Sequence, residues 1–180
     1  MRLDLSLINC HVRGLHSVVL RPAPRMTRIF FTTPDHELFS TDHLAVHSHH
    51  CDLLLCPIFG EEFIINWTPS YGTHSNKKIF KSYKFDSAIT GGGKFIPTDM
   101  EREMSLDPTT LRKPLELFAY EYHTVTVTQG ARSAWMVLER QEDPHYDPTC
   151  WSTQDLSQWS PKDLYQPMTS EFLKENFFTC

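Results

Sequence analysis

The stretch from Ala119 to Arg140, AYEYHTVTVTQGARSAWMVLER, contains the two clearest β-strand patterns of the chain. Ala119 to Thr128 ends in alternating threonine and valine, and Ser133 to Arg140 is rich in apolar and aromatic side chains. Alternation with a period of two is typical of a strand that buries one face. Gln129-Gly130 lies between the two segments and predicts a turn that joins them as an antiparallel hairpin.

Short segments with the same character precede this pair, and none of them shows a helical spacing of apolar residues. They comprise residues 3–8, 16–20, 28–33, 44–59, 62–67, 79–85 and 94–97. Residues 105–114 contain Pro108 and Pro114 and are predicted to be a connector. Seven to ten short strands at this spacing predict an all-β fold, either a β-sandwich or a β-barrel.

Length and composition exclude several classes of protein. The chain has 180 residues, which corresponds to one ordinary domain, and its 40% hydrophobic content is that of a globular protein. With 17 basic and 22 acidic residues it has a formal charge of -5 and no basic block, so we expect no nucleic-acid partner. No apolar run is long enough to cross a membrane, and the N-terminus lacks the apolar core of a signal peptide, so we expect a cytoplasmic protein.

The composition changes after residue 142, where prolines and tryptophans become frequent. We therefore divide the chain into a β-barrel domain, residues 1–142, and a C-terminal arm, residues 143–180. The motif W-S-x-x-D-L occurs at Trp151 and again at Trp159, and its serine is a natural N-cap for a single-turn helix. A last short helix is predicted from Ser170 to Phe178. Such an arm wraps the barrel or a neighbouring subunit, which makes a homodimer one expected state.

The most informative residues for function are histidines between residues 45 and 55, AVHSHHCDLLL. On a regular strand His47 and His49 point to one face, whereas His50 points to the other. Two imidazoles on one face are a common start of a metal site, since each offers a nitrogen lone pair. Cys51 shares their face, so it is either a metal ligand or a buried thiol, and a buried, unreactive thiol is the more common case.

A divalent ion needs further ligands from elsewhere in the chain. The best distant donor is His123, which shares the apolar and presumed interior face of Val125 and Val127. A carboxylate could come from Asp52, which needs a local bulge to reach the face of His47, or from Glu61 or Glu62 beyond the next turn. Buried imidazoles need partners, so three that converge favour a metal site over three unrelated core histidines.

This arrangement resembles the two-motif metal signature of the cupin superfamily of small β-barrels. The segment from His47 to Gly60 is similar to the first motif, which supplies two histidines and a carboxylate. The segment around His123 is similar to the second motif, which supplies one histidine. The resemblance covers residues 28–140 and implies a cupin-like barrel or jelly roll with His47, His49, Asp52 and His123 as metal ligands. Leu53 and Leu54 occupy the usual places of the carboxylate, so Asp52 is a displaced candidate.

A centre of this kind leaves coordination positions open to a substrate. It implies a divalent ion, Fe, Mn, Ni or Zn, and an enzyme that acts on a small polar molecule as an oxygenase or a Lewis-acid isomerase. The alternative is a non-catalytic binding or assembly module that contacts a partner through the C-terminal arm. Lys81, Lys84, Lys94 and Arg102 are candidates to meet an anionic substrate, although we expect such side chains on the solvated surface more often.

Overall fold

The computed structural model describes residues 1–38, 46–60, 62–69, 77–86, 94–142, 149–158 and 164–178. These residues form two antiparallel β-sheets and one short α-helix, which confirms the all-β prediction. The two-sheet arrangement is that of a β-sandwich or jelly roll. No helix in the described part of the chain is long and apolar enough to pass through a bilayer.

Seven strands form an open sheet. In spatial order they are β13 (Gln166–Pro167), β1 (Arg2–Ile8), β2 (Leu15–Arg21), β3 (Thr27–Thr32), β11 (Ala134–Glu142), β5 (Cys51–Phe59) and β9 (Leu115–Leu117). Six strands form a second, closed sheet in the order β10 (His123–Val127), β4 (Val46–His47), β12 (Thr149–Ser152), β7 (Lys78–Asp86), β8 (Lys94–Leu111) and β6 (Glu62–Pro69). It closes because β6 also pairs with β10.

The open sheet is covered on both faces. One face contributes Leu15, Leu53, Trp135 and Val137 to the main hydrophobic cluster, which also contains Val127 of β10. The other face carries a separate cluster that contains Val18 and Phe31 together with residues of the helix α1 (Ser170–Asn176). Burial on both faces explains why β2 is buried at five successive positions rather than at alternate ones.

Two connections differ from those predicted. Gly130 does lie in a turn, with φ +74°, but the expected hairpin is wrong because β10 and β11 belong to different sheets. The chain crosses from one layer to the other, and Val125 and Trp135 then face the same cavity. A period of two identifies a strand without identifying its neighbour, which depends on distant residues.

The connector predicted at residues 105–114 is also wrong over most of its length, since β8 continues to Leu111. Proline is tolerated in a strand whose N–H side has no neighbour. Residues before Met104 pair with β7, whereas residues after it pair with β6. Among the described strands, each half of β8 therefore pairs on one side only. Pro97 and Pro108 are tolerated because the other side of the strand needs no backbone N–H donor.

The segment after residue 142 is part of both sheets. β12 lies between β4 and β7, and β13 extends the open sheet next to β1. The helix predicted at Trp151 is wrong: Trp151 lies on β12, fully buried with Val46 and Phe80, and a 3₁₀ turn follows only at Leu156–Gln158. Ser152 Oγ still accepts a hydrogen bond from the Gln154 amide (3.1 Å), but burial of the large indole goes with a strand that pairs with β7 at Trp151. Trp159 lies outside the described residues, and the last predicted helix is confirmed as α1.

Candidate metal centre

Three histidines from two distant parts of the chain meet between the sheets. A ring nitrogen of His47, one of His49 and one of His123 all lie within 4.8 Å of one another. The Nε2 atoms of His49 and His123 are 3.2 Å apart, and the ring centroids of all three pairs are 4.8 to 5.0 Å apart. The structure thus brings together the three imidazoles that the sequence singled out.

The strand ladder explains how two of them meet. β4 and β10 are antiparallel, and His47 stands directly opposite His123 in their register. Side chains of directly opposed residues lie on the same face of a sheet, with Cβ atoms about 5 Å apart. The cross-strand pair is therefore set by the backbone before any side-chain contact is considered.

His49 reaches the same place by a different route from the one predicted. The single regular strand expected at 44–59 is interrupted, since β4 ends at His47 and β5 begins at Cys51. In the interruption the Ser48 amide donates to the Thr149 carbonyl (3.1 Å) and the His49 amide donates to the Ala119 carbonyl (3.0 Å). These two long-range bonds hold the segment, so that the His49 ring lies against those of His47 and His123.

The ring of His123 is oriented by the backbone. Its Nδ1 lies 3.2 Å from the carbonyl oxygen of Glu121, to which the Nδ1–H donates. In the neutral imidazole the lone pair is then on Nε2, the nitrogen that faces His49. A backbone carbonyl that fixes the tautomer in this way is the usual second-shell partner of a metal-binding histidine.

Burial keeps these imidazoles uncharged. Together with a smaller effect of the neighbouring His47, it lowers the pKa of His123 to about 3. Burial likewise holds the pKa of His49 well below its usual value, with smaller effects from His47 and His123. Neutral imidazole is the form that binds a metal ion, so these two nitrogens are available at neutral pH without loss of a proton.

Asp52, the first candidate for a carboxylate ligand, is not part of the cluster. Asp52 accepts a hydrogen bond at Oδ1 from the Ala119 amide (2.9 Å), the residue whose carbonyl holds His49. It therefore supports the turn that leads to His123. Glu61 lies outside the described residues, and so does the side chain of Glu62. Among the described residues the cluster that could hold an ion consists of three histidines.

The histidines line a cavity of about 290 Å³ between the sheets. This is near the lower end of the usual range for small-molecule sites. Its wall on the open sheet is apolar and is formed by Leu15, Phe30, Leu53, Leu55, Trp135 and Val137. The cavity therefore borders the main hydrophobic core, and the three imidazole rings are part of its wall.

Two further residues of the site were not found from the sequence. His11 lies in the turn after β1, and its ring stacks on that of His47 at a centroid distance of 5.6 Å. Its Nδ1 is 3.0 Å from the hydroxyl of Tyr165, and both residues line the cavity. Each has a positive φ, 71° for His11 and 56° for Tyr165. They are 154 positions apart, and no local pattern relates them.

Other candidates from the sequence lie away from the cavity. The side chains of Lys81, Lys84 and Arg102 are exposed, and that of Lys94 is outside the described part of the chain. Arg102 lies over the ring of Trp151 at 5.3 Å rather than at the cavity. Cys51 is buried in the main cluster, as predicted, and forms no disulfide bond with a described residue.

The geometry and donor chemistry suit a divalent metal ion. Metal–nitrogen bonds to imidazole are about 2.1 Å, so two such nitrogens on one ion are at most about 4.2 Å apart. The observed 4.8 Å limit needs only a small inward movement of the rings. Three protein ligands also leave at least one position open, which is the arrangement of catalytic rather than structural zinc sites.

Comparisons with known proteins assign no family. No family model matches the chain, and no curated protein is significantly similar to it. Among solved structures, hydroxypropylphosphonic acid epoxidase from S. wedmorenis is 15% identical, with a TM-score of 0.40, over 78% of this chain and 58% of that chain. Protein SO0799 from Shewanella oneidensis is 8% identical, with a TM-score of 0.41, over 92% of this chain and 81% of that chain. At these scores neither likeness assigns a function.

The cupin resemblance is compatible with the structure at a coarse level. The described chain has two antiparallel sheets, and the histidines of both proposed motifs converge between them. The carboxylate of the first motif has no counterpart among the described ligand groups. Membership of that superfamily therefore stays a prediction.

Proposed function

We propose that the protein is an enzyme that acts on a small molecule with the help of one divalent metal ion. The observation that carries the proposal is the convergence of His47, His49 and His123 in the wall of a cavity that borders the core. Bound there, an ion would supply a Lewis acid that polarises an oxygen atom of the substrate or of water. The candidate ions are Fe, Mn, Ni and Zn: imidazole ligands suit Fe, Ni and Zn, whereas Mn would need oxygen ligands at the open positions.

The residues of the chain contribute orientation and a dry environment. The Glu121 carbonyl fixes the ring of His123, and the hydrogen bond from the His49 amide to the Ala119 carbonyl fixes the segment that carries His49. Among the described residues, the wall of the cavity on the open sheet is apolar and, apart from the Trp135 indole, offers no hydrogen-bonding side chain to water. Electrostatic interactions are stronger in such a low-dielectric space than in bulk water.

The alternative, an assembly module that contacts its partner through the C-terminal arm, is less well supported. Trp151, one of the two tryptophans of that arm, is fully buried in the cluster with Val46, Phe80 and Met104. It is therefore not available to a partner. The described part of the arm also belongs to the two sheets, where it stabilises the barrel itself.

The proposal is tested by the metal content of the purified, untagged protein after dialysis against each of the four ions. We expect about one ion per chain in the wild type and less than a tenth of that in His123→Ala. Asp52→Asn and His50→Ala are matched controls, since neither residue belongs to the three-histidine cluster, and both should keep the ion. Circular dichroism shows whether each variant is folded.

The same ion should raise the melting temperature. A ligand at about 100 times its Kd stabilises the folded state by about 2.7 kcal/mol, which for a chain of this length is a rise of roughly 5–10 °C. We expect this rise in the wild type and in Asp52→Asn but not in His123→Ala. If none of the four ions binds or raises the melting temperature, the proposed function is wrong.

A further inference from the structure

Apart from histidines, no described residue in the wall of the cavity has a charged or ionised side-chain group of the carboxylate, ammonium or guanidinium type. Among the described residues that line it there is no aspartate, glutamate, lysine or arginine. The wall on the open sheet is formed by aliphatic and aromatic side chains, and Val125 and Phe95 continue it on the closed sheet. Ser48, Thr124 and Thr149 also line the cavity, but a ligand body in this space would meet mostly apolar atoms.

Four of the imidazoles that line the cavity are grouped together. The three clustered histidines lie beside His11, which stacks on His47 and whose Nδ1 is already bonded to the Tyr165 hydroxyl at 3.0 Å. A ligand would thus have a polar head at these imidazoles and an apolar body against the apolar part of the wall. The volume of about 290 Å³ limits that body to a single small group.

The three histidines that would hold the ion indicate which charge the polar head of the small molecule should have. Three neutral imidazoles do not reduce the charge of a divalent ion, so the ion would keep its full positive charge in an apolar surrounding. An uncompensated charge in such a place is costly, and an anionic ligand removes the cost. A carboxylate fits, because its oxygens are ligands that first-row divalent ions accept.

We infer that the cavity binds a small monocarboxylate with one unbranched or aromatic apolar body, of about the size of hexanoate. The inference rests on the proposed function, since the ion held by the histidines provides the contact with the carboxylate. The apolar wall makes the affinity depend on the length of the apolar body. Each methylene group transferred from water to an apolar wall increases affinity about fourfold.

The test uses the Co²⁺-loaded protein, because the visible spectrum of Co²⁺ reports a new ligand at the metal without any assay of activity. Acetate, butyrate and hexanoate are titrated in turn, with hexanol and hexylammonium as probes that have the same body but no negative charge. We expect the affinity to rise about fourfold per methylene, or about two orders of magnitude from acetate to hexanoate. Hexanol, which is uncharged, and hexylammonium, which is cationic, should not change the spectrum.

A pair of variants on β10 tests the role of the wall. Val125→Phe places a larger side chain on the cavity side, whereas the neighbouring Thr126 does not line the cavity. Val125→Phe should keep the spectral response to acetate and lose most of the gain for hexanoate. Thr126→Phe should behave as the wild type.

The possible failures are distinct. Equal affinity for acetate and hexanoate in the wild type, or a response to hexanol as large as that to hexanoate, would overturn the inference and leave the metal site intact. Failure of the protein to bind Co²⁺ as well as Fe, Mn, Ni and Zn would overturn the proposed function, and the inference with it.

Discussion

Gly14 shows how one residue positions part of the site. It has φ +76°, a conformation that side chains with a Cβ adopt at a cost, and it ends the turn that carries His11. Its amide donates to Oδ1 of Asn9 (2.9 Å), and its carbonyl accepts from the Thr33 amide (3.0 Å). The turn therefore connects β1 and β2 to the segment after β3, and it holds His11 against His47.

Replacement of Gly14 by alanine should be severely destabilising. A Cβ at this position would lie 2.3 Å from the Cα of His36, a backbone atom that cannot move alone. We expect Gly14→Ala to lower the free energy of unfolding by about 4 kcal/mol or more, measured by urea denaturation. Gly130→Ala is the control, since Gly130 has a similar φ but no atom within 4 Å of the added Cβ. It should cost about 1–2 kcal/mol, and equal losses in the two variants would contradict the steric explanation.

At the scale of elements, α1 closes the outer face of the open sheet. Leu173 of this helix packs with Val18 and Phe31, and the ring of Phe172 lies 4.8 Å from that of His16. The helix has only seven residues, so its stability depends on this packing and on its N-cap. Thr169 provides the cap, and its hydroxyl accepts a hydrogen bond from the Phe172 amide at 3.1 Å.

Removal of the cap should weaken this element by a measurable amount. We expect Thr169→Ala to lower the free energy of unfolding by about 1 kcal/mol in urea denaturation, because the Phe172 amide loses its acceptor. Thr169→Ser keeps the oxygen and should stay within a few tenths of a kcal/mol of the wild type. Metal binding should be the same in both variants, since α1 lies on the face of the sheet opposite the cavity. If Thr169→Ser were as unstable as Thr169→Ala, the cap would not be the cause.

At the scale of the whole molecule, burial of neutral histidines makes stability depend on pH. His16 lies on β2 with its ring buried against α1, and burial lowers its pKa to about 4. The Asn9 amide donates to Nδ1 (3.2 Å), and Nε2 lies 3.2 Å from Oγ1 of Thr33, an arrangement that requires the neutral ring. In the unfolded chain the same ring takes up a proton near its ordinary pKa of 6.5.

The unfolded state therefore binds more protons than the folded state between about pH 6.5 and pH 4, and stability falls as the pH is lowered through this window. For His16 the loss between pH 7.5 and pH 5 is about 2 kcal/mol. We expect urea denaturation of the metal-free protein to show that the free energy of unfolding falls between pH 7.5 and pH 5. In His16→Gln this fall should be smaller by about 2 kcal/mol. An identical pH dependence in wild type and variant would rule out this assignment.

Much of the site was accessible from local patterns. Alternation of threonine and valine after His123 predicted a strand with this ring on its inner face, and the structure places His123 buried beside Val125. The short spacing of His47 and His49 identified them as a pair. The inference for His123 succeeds because the side-chain direction on a strand is set by the backbone within a few residues.

The remaining features depend on contacts between distant segments. The interruption that turns His49 inward is held by Thr149 and Ala119, and the carboxylate of Asp52 is used by the Ala119 amide. His11 enters the site because its turn packs against β4, and the proline-containing end of β8 extends because β6 provides its partner. Alternation along one segment encodes which side of a strand faces the core. The choice of neighbouring strand, and the groups that meet across the cavity, follow from burial summed over the whole chain, a quantity that no short stretch of sequence contains.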